Sequence, residues 1–324
     1  MHNLWIFNPD TDIARGEGRH IYTPTAKVRE VRRKMALCQA SFASYGDLIL
    51  LLDHQDHTEI QSLENFDLVQ KKGIHIIHPE KLTQLDWNII NPKPWGWDHS
   101  IKEILLRHGA TTEALPSEEY MDCLRELSHR RTTINFHRLM AKRDIYSGIP
   151  VPMEFTNIKD AGQWIKANPD AIIKAPWSSS GRGIISTSEM TEDSIIKWIS
   201  GILKRQGSVL AEVKMKKSID FATEWDITKE MGPCFLGLSL FRTDGRCKYC
   251  GNIRLSQKEI RKIISTSTRL DIDEIISAQQ FSLSELIAPH YTGPLGIDML
   301  ISQTGEVNSC IEINLRYTMG HLSL

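Results

Sequence analysis

The chain has 324 residues, and its 39 lysines and arginines against 40 aspartates and glutamates give a formal net charge of -1. This balance argues against a general nucleic-acid or membrane-surface binder, and 41% hydrophobic and 24% charged residues are typical of a soluble globular protein. The length predicts two or three domains. The longest uninterrupted apolar run, Leu48–Leu52, is far shorter than the roughly 20 residues of a membrane helix. We expect neither a membrane span nor a signal peptide, and the six scattered cysteines fit a cytoplasmic protein.

The first hundred residues alternate between short apolar strands and helical segments. We predict strands at 4–7, 48–52 and 74–77, and helices at about 25–45 and 59–65. Such alternation predicts an α/β domain in which helices cover a parallel sheet. Ligands of such sheets bind at the carboxyl ends of strands, where Asn8, Asp10 and Asp12 lie, although Asn and Asp also cap helices and form turns.

Two further segments of this region contain residues that could bind a ligand. Asp53-His54-Gln55-Asp56-His57 contains metal-binding residue types, but the spacing matches no known ligand pattern, so we predict a solvated loop. Residues 92–98 contain two prolines and two tryptophans, which predict a stiff turn that packs at a domain edge or forms one wall of a substrate pocket. No G-x-G-x-x-G motif is present here, so nothing predicts a dinucleotide site.

A small-residue loop in the middle of the chain is flanked by positive charge. Ala171–Ala175 is predicted as a strand, and the loop 176–183, rich in serine and glycine, leads into a strand at 184–186. Backbone N–H groups and hydroxyls can approach an anion there, and Lys174 and Arg182 suit a polyphosphate. The loop is not a P-loop, because the lysine precedes the glycines and no helix follows directly. A flexible hairpin tip is the alternative interpretation.

The last thirty residues predict a hairpin with a polar face. Strands at 296–301 and 310–316 alternate with period two, which places Glu312, Asn314 and Arg316 on one face. A three-residue loop at 304–306 would pair residues whose numbers sum to 610, and Asp298 would then face Glu312. Two carboxylates and an amide oxygen suit Mg²⁺. The alternative is a hairpin whose polar face simply meets water.

Four segments, in this order along the chain, resemble motifs of the ATP-grasp superfamily. They are Gly148–Pro152, Lys174–Gly183, Leu210–Glu212, and the hairpin strands Gly296–Asp298 and Glu312–Arg316. The resemblance implies an α/β domain followed by α+β lobes. A Rossmann-like N-terminal (pre-ATP-grasp) domain would span residues 1–120, a small lobe with the phosphate loop 121–210, and a large lobe with the metal site 211–324.

The resemblance also implies roles for individual residues. Lys174 would contact the α- and β-phosphates of ATP. The loop that closes over the phosphates would contain Ser178, Ser179, Ser180, Gly181, Arg182 and Gly183. The hinge that lines the adenine would contain Ala211, Glu212, Val213 and Met215. Asp298, Glu312 and Asn314 would hold one or two Mg²⁺ ions, with Mn²⁺ as an alternative.

Three residues, Lys174, Arg182 and Arg316, would act in catalysis, with Arg316 steadying the transferred phosphoryl group or the acyl intermediate. The family usually has another lysine ahead of the Gly148–Pro152 turn. Either Arg130 or Arg131 takes its place here, and the sequence does not decide which.

The activity implied is that of a carboxylate–amine ligase. A small-molecule carboxylate would attack the γ-phosphate of ATP to form an acyl phosphate, and an amine would displace phosphate from it, so that ADP and phosphate are released. Neither nucleic acid nor membrane is an expected partner, and a homodimer is one option. The alternatives are a phosphotransferase on the same scaffold and a nucleotide-binding protein without turnover. Only eight residues follow Arg316, so we expect a segment that closes the site to be missing or supplied by a neighbour.

Overall fold

The computed structural model describes residues 1–143, 151–178, 183–244 and 248–324. The chain divides into two compact units, Met1–Arg125 (unit 1) and Glu126–Leu324 (unit 2). No helix in the described part of the chain is both long enough and apolar enough to cross a membrane.

Unit 1 is built around a parallel sheet. Its strands are β1 (His2–Ile6), β2 (Leu48–Leu50), β3 (His75–Ile77) and β4 (Ile90–Pro94). Its helices are α1 (Thr11–Glu17), α2 (Ala26–Lys34), α3 (His57–Gln61), α4 (Phe66–Lys72), α5 (His99–Arg107) and α6 (Glu118–Leu127), whose last two residues belong to unit 2. The strand order is β3-β2-β1-β4 and every neighbouring pair is parallel, which confirms the predicted sheet. Leu4, Ile6 and Leu50 share one apolar core with Ile101 and Leu105 of α5.

The strand β4 was not predicted, because its two prolines indicated a turn. In the structure Ile90–Pro94 pairs in parallel with β1 at the edge of the sheet. Trp95 N donates to Ile6 O (2.7 Å). The nitrogens of Pro92 and Pro94, which have no hydrogen to donate, therefore point to the free edge, where no partner strand is needed. Proline is compatible with a strand at this position only because the strand lies at an edge.

Unit 2 contains two antiparallel sheets. Its helices are α7 (Thr132–Ala141), α8 (Ile158–Ala167), α9 (Glu192–Gln206), α10 (Gln257–Ser267) and α11 (Ile272–Leu286). The small sheet contains β5 (Met153–Phe155), β6 (Ala171–Lys174), β7 (Ile184–Ser186) and β8 (Val209–Val213), in the order β5-β8-β6-β7. The large sheet contains β9 (Lys217–Thr228), β10 (Gly232–Thr243), β11 (Tyr249–Ile253), β12 (Gly293–Ser302) and β13 (Val307–Asn314), in the order β11-β10-β9-β12-β13.

The small sheet has a core of its own. Ile173 and Ala211, which face each other on β6 and β8, share an apolar cluster with Ile195 and Ile199 of α9. The apolar residues of α9 recur at intervals of three and four, so one stripe of the helix covers the sheet. This packing positions the end of β6, where Lys174 lies.

The two faces of the large sheet differ in polarity. Phe221 and Trp225 on β9 and Ile297 and Met299 on β12 are fully buried on one face. Gln279 of α11 lies on the same side, because its side chain accepts from Thr223 Oγ1 (2.8 Å) and donates to Ser309 O (2.9 Å). Residues of the opposite parity point to the other face, which we call the polar face. It contains Ala222, Glu224, Gly296, Asp298, Glu312 and Asn314.

The predicted register of the β12–β13 hairpin is confirmed at the polar face. Asp298 lies opposite Glu312, as the sum of 610 requires. Nearer the turn the register differs, since Leu300 lies opposite Asn308. A bulge therefore adds two residues to β13 between these two pairs.

The predicted turn was wrong by one residue. Ser302 N donates to Glu306 O (2.8 Å), so the three-residue loop is 303–305 and not 304–306. Gly305 takes the last loop position with a left-handed φ of 85°, which suits glycine. The bulge in β13 compensates for this shift and restores the predicted pairing at the polar face.

Candidate active site

The residues predicted to bind a metal lie together on the polar face. Asp298 on β12 and Glu312 on β13 are direct neighbours across the two strands. Asn314 Nδ2 donates to Asp298 Oδ2 (3.2 Å), and Arg316 Nη2 donates to Asn314 Oδ1 (2.8 Å). The hairpin thus brings two carboxylates, an amide and a guanidinium into one group.

The carboxylates of this group repel one another. Burial, together with the charges of Glu312 and Glu224, raises the pKa of Asp298 to about 8, against the opposing charge of Arg316. Clustered carboxylates in a partly desolvated place are costly unless a cation compensates them. The polar face therefore favours binding of a divalent cation.

Arg130 joins this face to the small-residue loop after β6. Its side chain is only 4% exposed. Nη2 donates to Glu312 Oε1 (2.7 Å), while Nη1 donates to Ala175 O and to Ser178 Oγ (both 2.6 Å). The Nε atom is buried and has no hydrogen-bond partner among the described residues. Arg130 thus places positive charge between the carboxylates and the loop, with one donor still available.

The neighbouring arginine points elsewhere. Arg131 Nη2 pairs with Glu154 Oε1 (3.1 Å), and the Arg131 side chain is 48% exposed. Of the two arginines that the sequence left as alternatives, the structure places Arg130 at the site.

Lys174 lies at the end of β6, buried between the two sheets of unit 2. Its Nζ atom pairs with Glu212 Oε1 (2.6 Å) and donates to Ile311 O of β13 (3.3 Å). Glu212 comes from β8, the neighbour of β6. The predicted phosphate-binding lysine and the predicted hinge glutamate are therefore in direct contact.

The predicted phosphate loop is only partly described. Ser178 is buried against Arg130, and Ala175 N donates to Gly183 O (2.7 Å) across the base of the loop. A Cβ atom on Gly183 would lie 2.4 Å from Ser178 Cβ, so glycine is required there. The predicted residues Ser179, Ser180, Gly181 and Arg182 lie outside the described residues.

The predicted hinge residues differ in accessibility. Ala211 is 2% exposed and its side chain belongs to the core of the small sheet, so this side chain is not available to a ligand. Val213, at the end of β8, is 37% exposed. Met215 follows the strand. Val213 and Met215, at and beyond the end of β8, are thus more accessible than Ala211.

Sequence patterns missed one carboxylate of the polar face. Glu224 on β9 is 1% exposed. Its Oε1 accepts from Ser239 Oγ (2.7 Å), and its Oε2 accepts from Thr318 Oγ1 (2.7 Å) and lies 3.0 Å from His321 Nδ1. Burial opposes ionisation, but the hydrogen bonds and charge of His321, with the two hydroxyls, hold the pKa of Glu224 below its usual value.

Two glycines make room for this carboxylate. A Cβ atom on Gly320 would lie 1.8 Å from Glu224 Oε1, and one on Gly296 would lie 2.8 Å from Glu224 Oε2. The segment after β13 therefore packs closely on the polar face, and Asn252 Nδ2 of β11 also donates to Ser323 Oγ (2.6 Å). The alternation of side-chain direction along β9 was the available signal for Glu224, but it did not show which strands would be its neighbours.

The side-chain oxygens of Asp298, Glu312 and Asn314 are the groups on the polar face that could bind a magnesium ion. No group of three or more His, Cys, Asp or Glu residues in the described ranges could hold a metal by itself. Asp298 and Glu312 supply two hard oxygen ligands, and Mg²⁺ commonly takes one or two carboxylates and completes its shell with water and phosphate oxygens. Asn314 presents its nitrogen to Asp298, so ligation through its oxygen requires the amide to turn over. The residues fit an ion that a nucleotide helps to hold.

Two acidic residues of unit 1, noted as candidates at a strand end, are already paired. Asp10 accepts from Arg32 Nη2 at 2.8 and 3.0 Å, and Asp12 Oδ1 lies 3.3 Å from Arg15 Nη1. Both aspartates are buried. Their contacts are those of internal ion pairs in unit 1.

Comparisons with known proteins were informative only at the level of structure. No protein-family model matches the sequence, and no curated protein matches it significantly. Solved structures do match. The N5-carboxyaminoimidazole synthetase from Staphylococcus aureus, complexed with ADP, has a TM-score of 0.53 at 13% identity, covering 98% of this chain and 71% of that one.

Two further structures are similar to the same extent. The phosphoribosylamine–glycine ligase from Thermotoga maritima has a TM-score of 0.52 at 13% identity, covering 99% of this chain and 71% of that one. The biotin carboxylase domain of the Hydrogenobacter thermophilus 2-oxoglutarate carboxylase, in complex with MgADP, ADP and bicarbonate, has a TM-score of 0.52 at 14% identity, covering 98% of this chain and 65% of that one. These likenesses, found independently of the motifs, show that the chain has the ATP-grasp fold.

Proposed function

We propose that this protein is an ATP-dependent ligase that activates a small-molecule carboxylate as an acyl phosphate and joins it to an amine, releasing ADP and phosphate. The observation that carries the proposal is the convergence of Asp298, Glu312 and Asn314 with the buried cations Arg130 and Lys174. The structures with a similar fold include proteins named as a synthetase, a ligase and a carboxylase, one bound to ADP and another to MgADP.

The metal would be held by the two carboxylates of the polar face. Asp298 and Glu312 would be its ligands, with Asn314 as the third. When bound, Mg²⁺ supplies compensation for the charge of the β- and γ-phosphates. The high pKa of Asp298 in the absence of a cation supports this assignment, because a divalent ion removes the reason for keeping the proton.

The cations of the site would align the phosphates. Lys174 and Arg130 are both buried beside the loop that begins at Ser178. Each is paired with a carboxylate, Glu212 or Glu312, which phosphate oxygens would replace as partner. Arg316, held by Asn314, would steady the transferred group. Alignment and charge compensation are the main requirements of phosphoryl transfer.

The proposed reaction has two chemical steps, formation of the acyl phosphate and its reaction with the amine. A carboxylate oxygen attacks the γ-phosphorus, the bond from that phosphorus to the β-bridging oxygen breaks, and ADP leaves. The amine nitrogen then attacks the acyl carbon and loses a proton. The bond from that carbon to the oxygen that bridges carbon and phosphorus breaks, and phosphate leaves with this oxygen. Buried cations that are held rigidly before reaction lower the barrier of both steps, because each develops negative charge.

The strand order of unit 1 supports a division of the chain into three domains. We infer that residues 1–120 form a Rossmann-like domain, since the parallel order β3-β2-β1-β4 is that of the first four strands of the doubly wound fold. Residues 121–210 would be the small lobe and 211–324 the large lobe.

The five described cysteines form no disulfide, which supports the predicted cytoplasmic location.

ADP release across a panel of amino acids and short peptides, singly and in pairs, tests the proposal. Hydroxylamine added to the assay traps an acyl phosphate as a hydroxamate. Glu312→Gln and Lys174→Ala should each lower ADP release by about a hundredfold or more. Asp226→Asn, a change on the same face of β9, is the matched control and should keep most activity. ADP release without hydroxamate would indicate a phosphotransferase, and near-normal turnover by Glu312→Gln would overturn the site assignment.

A further inference from the structure

Glu224 is a buried carboxylate on the polar face to which the proposed reaction assigns no role. Its side chain is 1% exposed, and its two oxygens already contact Ser239, Thr318 and His321. This leaves almost no surface at which a substrate or a metal ion could bind it. A buried carboxylate is unfavourable unless hydrogen bonds and a nearby cation compensate its charge. The contribution of Glu224 must therefore lie in the residues that it holds.

Thr318 connects Glu224 to the chain that follows β13. Its Oγ1 atom donates to Glu224 Oε2 (2.7 Å) and accepts from Gly320 N (3.0 Å) and from His321 N (3.4 Å). A hydroxyl has one hydrogen to donate and two lone pairs, so these three contacts use its full capacity. The same group thus closes the turn 318–321 and ties this turn to β9.

His321 holds the other end of this turn. Its Nε2 atom faces Trp225 O (3.2 Å) and must donate there, because a carbonyl oxygen only accepts. Its Nδ1 atom lies 3.0 Å from Glu224 Oε2, and the residue is 6% exposed. Between Thr318 and His321, Gly320 packs so closely that an added Cβ would lie 1.8 Å from Glu224 Oε1. The turn therefore rests directly on Glu224 and on the next residue of β9.

The guanidinium of Arg316 depends on the same turn. Its Nη2 atom donates to Asn314 Oδ1 (2.8 Å), and its Nη1 atom donates to Tyr317 O (3.0 Å). Asn314 belongs to β13 and is positioned by the sheet. Tyr317 lies outside the strand and immediately precedes Thr318, so the anchored turn determines where its carbonyl oxygen lies. One Nη atom is thus held by the sheet and the other by the turn.

We propose that Glu224 is a positioning residue that holds Arg316 in place through Thr318, His321 and the turn 318–321. This inference rests on the proposed function, in which Arg316 steadies the transferred phosphoryl group. Such a group must be held closely, because a displacement of about 1 Å can cost about a hundredfold in rate. A carboxylate is suited to this task, since hydrogen bonds to an ionised acceptor are stronger than those to a neutral one.

Steady-state kinetics of two variants test this role. Thr318→Val removes the hydroxyl and Glu224→Gln removes the charge, and each keeps the shape of its side chain. With the pair of amino acids or peptides that releases ADP fastest in the wild type, both variants should lower kcat about tenfold or more. In Thr318→Val, the KM for ATP and the affinity for MgADP in calorimetry should change less than about twofold, because Lys174 and the proposed metal ligands keep their places.

Rescue and a matched control separate positioning from stability. Thr318→Ser keeps the hydroxyl and should restore kcat to within about threefold of the wild type. Thr243 Oγ1 also donates to a carboxylate of β9, Asp220 Oδ2 (2.7 Å), but it lies at the end of β10, away from the turn 318–321. Thr243→Val should therefore leave kcat within about twofold of the wild type. An unchanged kcat in Thr318→Val, or an equal loss in Thr318→Val and Thr243→Val, would overturn the proposal.

A measurement without turnover distinguishes this inference from the proposed function. In protein labelled with ¹⁵N-arginine, a guanidinium held at both Nη atoms rotates slowly about its Nε–Cζ bond, so the two Nη atoms give separate NMR signals. The signals of Arg316 are those lost in Arg316→Lys. They should merge in Thr318→Val and stay separate in Thr243→Val, and signals that stay separate in Thr318→Val would overturn the proposal. If the wild type releases no ADP with any pair, the proposed function fails, and these spectra still decide whether the turn holds Arg316.

Discussion

Replacing Asp298 by asparagine should stabilise the protein and abolish its response to magnesium. The carboxylate has a pKa of about 8 in the folded chain, against an ordinary value of 3.8. Between these values the unfolded chain loses the proton and the folded chain keeps it, so this group lowers the free energy of unfolding as pH rises from about 4 to 8. Asparagine carries no such proton and can still accept the hydrogen bond from Asn314.

The size of the expected stabilisation follows from the difference of about four units between the folded and ordinary pKa values of Asp298. At about 1.4 kcal/mol per unit, the upper limit is about 6 kcal/mol. Part of the Asp298 side chain is accessible to solvent, which screens the repulsion, so we expect a gain of about 2 kcal/mol in the free energy of unfolding at pH 8. At pH 4, where the carboxyl is protonated in the folded chain, the variant and the wild type should be nearly equally stable.

Urea unfolding followed by tryptophan fluorescence measures this difference. Curves at pH 4 and pH 8, in EDTA and in Mg²⁺ with ADP, are compared for wild type, Asp298→Asn and the control Asp226→Asn. With ADP present throughout, replacing EDTA by Mg²⁺ should stabilise the wild type at pH 8 and leave Asp298→Asn unchanged, because binding to the folded state alone raises its stability. Equal midpoints for wild type and Asp298→Asn at pH 8 would refute the raised pKa, and so would a gain that persists at pH 4.

The remaining predictions concern the close packing and the buried cation of unit 2. Gly320→Ala should lower the free energy of unfolding by about 3 kcal/mol in the same urea assay, because its Cβ would overlap Glu224. Gly162→Ala should instead raise the free energy of unfolding by up to about 1 kcal/mol, because this helical glycine has nothing within 4 Å of the added Cβ. Arg130→Ala should weaken MgADP binding in calorimetry about tenfold or more, while Arg131→Ala, at a half-exposed ion pair, should change it less than about twofold. Equal effects of the two arginine variants would contradict the placement of Arg130.

Local patterns were sufficient to predict the chemistry of the hairpin. Period-two alternation placed Glu312 and Asn314 on one face, and a short turn placed Asp298 opposite Glu312. The predicted loop was wrong by one residue, yet the pairing at the polar face was confirmed, because a bulge in β13 compensates for the shift. Side-chain direction in a strand depends on the residue's own neighbours, and this is the kind of information that a sequence carries directly.

Contacts between distant residues were decided only by the tertiary structure. Arg130 and Glu312 are 182 positions apart, and neither residue's surroundings in the sequence indicate the other. The same holds for Glu224 and Thr318, whose side chains are joined by a hydrogen bond.

The physical reason is that periodicity and turn chemistry determine which way a side chain points along its own strand or helix. They do not determine which other strand or helix it meets. That depends on how the sheets and helices pack, which is a property of the whole chain. The sequence alone therefore determined the kinds of groups in the site and their shared face, and the fold decided which cation neutralises which carboxylate.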